Sequence, residues 1–185
     1  MFDSIIDPTK GPAASAQAGG PTLAARPASL AGLRVGLLLN TKRNAEPFVA
    51  EVGRLLADQF GVQVTVARQK PNIVETAPQE MFDDLRTGSD VVVTGVGDCG
   101  SCSASAVADA LKFEAAGIPA AAIVSDAFIV TADAMASLRG AVGYRYATTP
   151  HPVANLTEDG VQARAAQVVP AIVELLLAPA LAVSA

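Results

Sequence analysis

The hydrophobic positions of this 185-residue chain change period along its length, and the changes mark out strands alternating with helices. Arg34–Leu39 (RVGLLL) is a continuous apolar run ending at Asn40, the pattern of a strand buried on both faces. Glu46 to Phe60 follows with Phe48, Val49, Val52, Leu55, Leu56 and Phe60 at helical spacing, and Gly61 stops it. Val62–Ala67 alternates as a less buried strand, and Pro78 opens a short helix through Leu85. Asp90–Thr94 is a third strand, Ser103 to Ala116 a helix closed by Gly117, Pro119–Val124 a fourth strand and Thr131 to Leu138 a helix. Tyr144–Thr148 reads as a fifth, shorter strand. Thr157 caps a final long helix in which Pro170 predicts a kink or break.

Strands that alternate with helices through short connections imply right-handed crossovers and a parallel sheet covered on both faces. The expected fold is therefore α/β: a three-layer, doubly wound domain of Rossmann or flavodoxin type, with a mostly parallel five-stranded sheet. Residues 1–32 differ, mixing Pro8, Pro12, Pro21 and Pro27 with Gly, Ala and Ser. They read as an extended arm ahead of a single domain over 33–185, either packed on that domain or a neighbouring subunit, or a disordered tail.

Composition narrows the function. With 51% hydrophobic and 17% charged residues the chain buries a core and is no disordered segment. Thirteen basic against eighteen acidic residues, with no basic cluster, argue against nucleic acid as a partner. No lysine-rich amphipathic face invites a membrane surface. The most apolar stretch, Val168 to Val183, is interrupted by Pro170, Glu174 and Pro179 and is shorter than the ~20 residues of a spanning helix. Asp3, Asp7, Pro8 and Lys10 break any signal-peptide core at the start. A cytoplasmic protein with no nucleic-acid and no membrane partner is expected, and its apolar final helix and alanine-rich surface point to a homo-oligomer.

In an open parallel sheet ligands bind outside the carboxyl ends of the strands, so the residues just after each strand form the candidate site. These are Asn40, Lys42 and Asn44 after the first strand, and Gly97, Asp98, Cys99, Gly100, Ser101 and Cys102 after the third. Ser125 and Asp126 follow the fourth, and His151 the fifth. Both cysteines and the single histidine of the chain thus fall on one rim. A CxxC between a strand and a helix brings two sulfurs within disulfide range, and the helix N-terminus favours thiolate, the reactive form. Lys42 or His151 would add to that effect. Asp98 would oppose it but offers a proton acceptor or donor. The plainer alternative is a pair of small buried hydrophobes. A lone CxxC supplies only two ligands, so no metal is expected. Gly95, Gly97 and Gly100 also satisfy the dinucleotide pattern G-x-G-x-x-G, but after the third strand and with Ala120–Ala122 where an acidic residue would bind ribose.

The segment Asp98-Cys99-Gly100-Ser101-Cys102 resembles the motif of the UGSC family, a selenocysteine or cysteine followed by Gly-Ser-Cys. Further segments resemble that family in order: Asp7-Pro8-Thr9, Arg26-Pro27 through Gly32, Asn40 through Asn44, and Pro150-His151 through Leu156. Some relatives carry selenocysteine at the position of Cys99, so the resemblance implies that Cys99 is the attacking chalcogen and Cys102 the resolving thiol. More distantly the chain is similar to the selenoprotein B subunits of glycine-reductase-type systems, an analogy of motif alone.

The leading expectation is a small thiol-dependent enzyme in which Cys99 attacks an electrophilic small molecule and Cys102 resolves the adduct. Lys42, His151 and Asp98 would bind anions or carry protons. Asn40, Asn44, Gly97, Gly100, Ser101 and Ser125 would line the substrate. The partners are that substrate and an external thiol reductant, with no cofactor. Two alternatives stand beside it: a cysteine-nucleophile hydrolase or lyase without a redox cycle, and a non-catalytic redox-sensing or ligand-binding subunit of a larger complex.

Overall fold

In the computed structural model, which describes residues 21–177, the chain runs through β1 (Arg34–Leu39), α1 (Ala45–Phe60), β2 (Gln63–Gln69), α2 (Gln79–Gly88) and β3 (Val91–Gly97). It continues through α3 (Gly100–Ala115), β4 (Ala120–Ser125), a single 3₁₀ turn (Asp126–Phe128), α4 (Ile129–Leu138), β5 (Ala147–Thr149) and α5 (Glu158–Leu177). The strands form one sheet in the order β2-β1-β3-β4-β5, and every pairing is parallel. The sheet expected as mostly parallel is thus wholly so, and its order is that of the flavodoxin-like doubly wound fold.

The helices divide between the two faces. On one, α1 and α5 cover a core of Phe48, Val49, Val52 and Leu56 against Leu37, Val93, Ile123, Val168 and Ile172. On the other, α2, α3 and α4 cover Leu38, Val92, Ala122 and Val124 with Phe82, Leu85, Val107, Leu111 and Phe113. A fully buried Phe or Leu such as Phe48 or Leu56 contributes roughly 2–3 kcal/mol. β3 is buried at every residue, and β1 at all but its first, as continuous apolar runs require. β2 stands at the sheet edge and is almost wholly exposed.

Helix α3 is buried over most of its surface, which explains its run of Ala, Ser and Val and its narrow polar face. Its C-terminus closes at Gly117, in left-handed backbone at φ +82°. The Gly117 and Ile118 N–H groups donate to the Glu114 and Phe113 carbonyls at 2.9 and 3.0 Å.

Three local expectations are corrected. β3 runs on to Gly97 and α3 begins at Gly100, so the connection between them is shorter than the sequence implied. β5 is only Ala147–Thr149, because the preceding tyrosines are engaged elsewhere: Tyr144 donates its hydroxyl to the Ala120 carbonyl at 3.0 Å, and Tyr146 to Asp133 at 2.6 Å. Pro170 does not break α5, which continues to Leu177; the proline lies on the exposed side, where water can serve the carbonyl it leaves unpaired. By length and apolar composition α5 is a helix able to cross a membrane, yet Val161, Ala165, Val168, Val169, Ile172, Leu175 and Leu176 are packed into the core.

Of the arm, residues 21–32 lie on the domain. Arg26 pairs with buried Glu114 at 2.7 Å and donates to the Leu175 carbonyl at 2.9 Å, while Ala24 N–H donates to the same carboxylate at 2.7 Å. The rest of the arm, including Asp7-Pro8-Thr9, and the end of the last apolar stretch lie outside the described residues.

Candidate functional site

β3 delivers Asp98 and Cys99 to the carboxyl edge of the sheet beside the end of β1, where the strand order reverses and ligands of such sheets bind. Gly97 is glycine because of packing: a Cβ there would lie 2.7 Å from the Ser103 Cα. The first turn of α3 is thereby held hard against the end of the strand.

Cys99 is the N-cap of that helix. Its sulfur accepts the Cys102 N–H at 3.3 Å and lies 3.6 Å from the Ser101 hydroxyl. The Cys99 and Cys102 sulfurs are joined as a disulfide, with Cα atoms 5.2 Å apart. Cys102 is buried and Cys99 half-buried, so Cys99 is the sulfur that an incoming molecule meets. The unpaired N–H groups and dipole of the helix start favour negative charge on that sulfur once the bridge is open.

Asp98 is buried, and its carboxylate accepts from the Val153 N–H at 3.1 Å, the Ala154 N–H at 2.9 Å and His151 Nδ1 at 2.9 Å. Burial alone would raise its pKa. The two backbone donors, the Ser125 hydroxyl and His151 outweigh that and hold it below the ordinary value of 3.8, so Asp98 is an anion at neutral pH. The carboxylate places the ring proton of His151 on Nδ1 and leaves Nε2 as the acceptor. His151 is further fixed by its backbone N–H on Asp126 Oδ1 at 2.9 Å and by an edge contact with Phe128, ring centroids 5.2 Å apart. Buried Ser125 lies 3.4 Å from His151 Nδ1, its one hydroxyl hydrogen shared between the Asp98 carboxylate and the Gly97 carbonyl 3.1 Å away.

Gly97, Asp98, Cys99, Ser101, Cys102, Ser125 and His151 therefore form one contiguous set, with Gly100 as the first residue of the helix. The asparagines serve the scaffold. Asn40 is buried, donating to the Val96 carbonyl at 2.8 Å and accepting the Lys42 N–H at 2.9 Å. Asn44, in left-handed backbone at φ +64°, donates to the Val153 and Leu156 carbonyls at 3.0 and 2.9 Å and so fastens the loop that carries His151. Among the described residues, no hydrogen bond or ion pair joins the Lys42 side chain to Asp98, Cys99 or His151.

Asp126 and Phe128 complete the setting of His151. The place of Asp126 after β4 marks it in the sequence, whereas no pattern in the sequence singles out Phe128. Thr149 Oγ1 is buried without a hydrogen-bond partner among the described residues. Gly95 and Gly97 lie inside β3, so the G-x-G-x-x-G pattern forms no phosphate-binding turn. Among the described residues no group of three or more His, Cys, Asp or Glu is placed to hold a metal ion.

Compared with known protein families, the chain matches the UGSC family over residues 4–178. No curated protein and no solved structure matches it.

Proposed function

Since the chain belongs to the UGSC family, whose motif falls on Cys99–Cys102, we propose that it is a thiol-dependent enzyme acting on an electrophilic small molecule. The observation that carries this reading is the asymmetry of the cysteine pair at the start of α3: a half-exposed sulfur that accepts a helix N–H, beside a buried one within bonding range. That is the arrangement of an attacking and a resolving thiol.

In the reduced protein the Cys99 thiolate attacks a substrate R–X, forming a bond from sulfur to R and expelling X⁻. The Cys102 thiolate then attacks the Cys99 sulfur. The bond to R breaks, its electron pair goes to R, and R takes a proton to leave as R–H. R–X gains two electrons, the two thiols lose them as a disulfide, and an external dithiol restores the pair. R must tolerate an electron pair, as a thiolate or a carbon next to a carbonyl does. His151, held by Asp98, accepts the Cys99 proton at Nε2 and returns it to R; Ser101 orients the substrate, Ser125 steadies His151 from within, and Lys42 favours anions from the neighbouring loop. The reducing cytoplasm suits such a cycle.

Iodoacetamide alkylation of the reduced protein, followed by peptide mass mapping, tests the assignment of nucleophile. Label should reach Cys99 well before Cys102; equal labelling, or labelling of Cys102 first, refutes it.

The Asp98–His151 pair supports a second reading, a cysteine hydrolase or lyase in which His151 is the acid–base and no disulfide forms. Under that reading Cys102→Ser would retain most turnover.

A further inference from the structure

Beside the cysteine pair an open cleft of about 430 Å³ runs between α3, α4 and the segment after β2. Its floor is Ala104 and Ala108 of α3, its walls are Val74 and Met135, and Ser101 and Arg139 stand among its polar residues. The volume lies in the range of small-molecule sites. Ser101 belongs both to the cleft and to the chemistry, since its hydroxyl lies 3.6 Å from the Cys99 sulfur.

One wall is built at some expense. The segment after β2 is anchored by Lys70, whose buried ammonium donates to Asp109 at 2.7 Å, to the Glu75 carbonyl at 2.9 Å and to the Ser105 hydroxyl. Asp109 in turn accepts the Ala77 N–H at 2.8 Å, and Ser105 donates to the Glu75 carbonyl at 2.8 Å. A buried ion pair adds little stability over apolar packing but fixes geometry. Here it holds Val74, Glu75 and Thr76 over α3.

The two charged residues of the cleft, Glu75 and Arg139, stand on different walls and are engaged differently. The Glu75 carboxylate keeps its charge and accepts the Asn72 amide at 2.9 Å, on the segment after β2, whereas Arg139, at the end of α4, is exposed and makes no ion pair among the described residues. From Ser101 to Ala108 the helix rises about 10 Å.

We infer that this cleft binds the body of the substrate, a small molecule with an apolar chain of about eight carbons that ends in a carboxylate on Arg139 and presents its reactive end to Cys99. The inference rests on the reading of Cys99 as nucleophile, and its test separates the two. Met135 is one of three methionines, and its methyl group reports on the cleft without any sulfur chemistry. Titrating the ω-acetamido derivative of octanoate into the methyl-¹³C-methionine protein should shift the Met135 signal saturably. Arg139→Gln should weaken that binding about tenfold, the loss of a charge-assisted hydrogen bond, and Ala104→Phe should abolish it. The ω-iodoacetamido derivative should then alkylate Cys99 of the reduced protein faster than iodoacetamide does, with a saturating rate. No saturable shift at Met135, an equal shift with the neutral amide of the same chain, or binding indifferent to both substitutions overturns the cleft. Saturable binding at Met135 with Cys99 inert to both iodo compounds leaves the cleft standing and removes the nucleophile.

Discussion

Asp98 and His151, 53 residues apart in the chain, meet at 2.9 Å at the carboxyl edge of the sheet, carboxylate oxygen on Nδ1. The same carboxylate takes the N–H groups of Val153 and Ala154, so one buried anion both orients the imidazole and holds the loop that bears it. Asp98→Asn replaces an acceptor with an amide that turns hydrogens toward those donors. We expect it to destabilise the domain by about 2 kcal/mol, the cost of leaving buried polar groups unpaired, read by urea denaturation.

The pH dependence follows from the direction of the Asp98 shift. Its folded pKa lies below 3.8, so its contribution to stability is fully present above that value and is lost as pH falls through the folded pKa. Wild type should therefore lose stability more steeply below about pH 4 than Asp98→Asn. Parallel acid titrations of the two proteins by circular dichroism would show it; superimposable curves would contradict it.

His151→Asn keeps a donor at the position of Nδ1 and removes the acceptor at Nε2. The substitution should leave the melting temperature within a few degrees while slowing proton-dependent turnover about 100-fold. A matched loss of stability and activity would mean that the imidazole only packs.

The buried Lys70–Asp109 pair gives a prediction of different sign. Burial raises the Asp109 pKa above 3.8, with Lys70 acting against it, so ionising Asp109 costs stability as pH rises from the unfolded value through the folded one. Lys70→Met should cost about 3 kcal/mol at neutral pH and should become less costly as pH is lowered and Asp109 takes up its proton. Adding Asp109→Asn, which keeps an acceptor for the Ala77 N–H, should recover more than half of the loss.

Strands and core helices are legible because burial imposes a period: the sequence pattern matches β1 residue for residue, and α1 and α4 to within two. What the period does not carry is which loop touches which. Strand ends put Asp98 and His151 on one rim, but their contact depends on the turn Pro150–Ala154 folding back to offer two N–H groups. The same limit explains Asn40 and Asn44, which looked like substrate ligands by position and instead tie loops together. Gly97 reads by position as substrate lining, and the space beside it is filled by Ser103.

The central claim is the order of the two sulfurs. Ellman's reagent, a symmetric aromatic disulfide, tests it on the reduced protein by counting the aromatic thiolate released and weighing the product. Wild type should release two equivalents per chain and end as the internal disulfide without adduct, because Cys102 displaces the second thiolate from Cys99. Cys102→Ser should release one and retain one aromatic group on Cys99, and Cys99→Ser should react far more slowly. A wild type that keeps the adduct, or a Cys99→Ser protein that reacts as fast as wild type, would contradict the account.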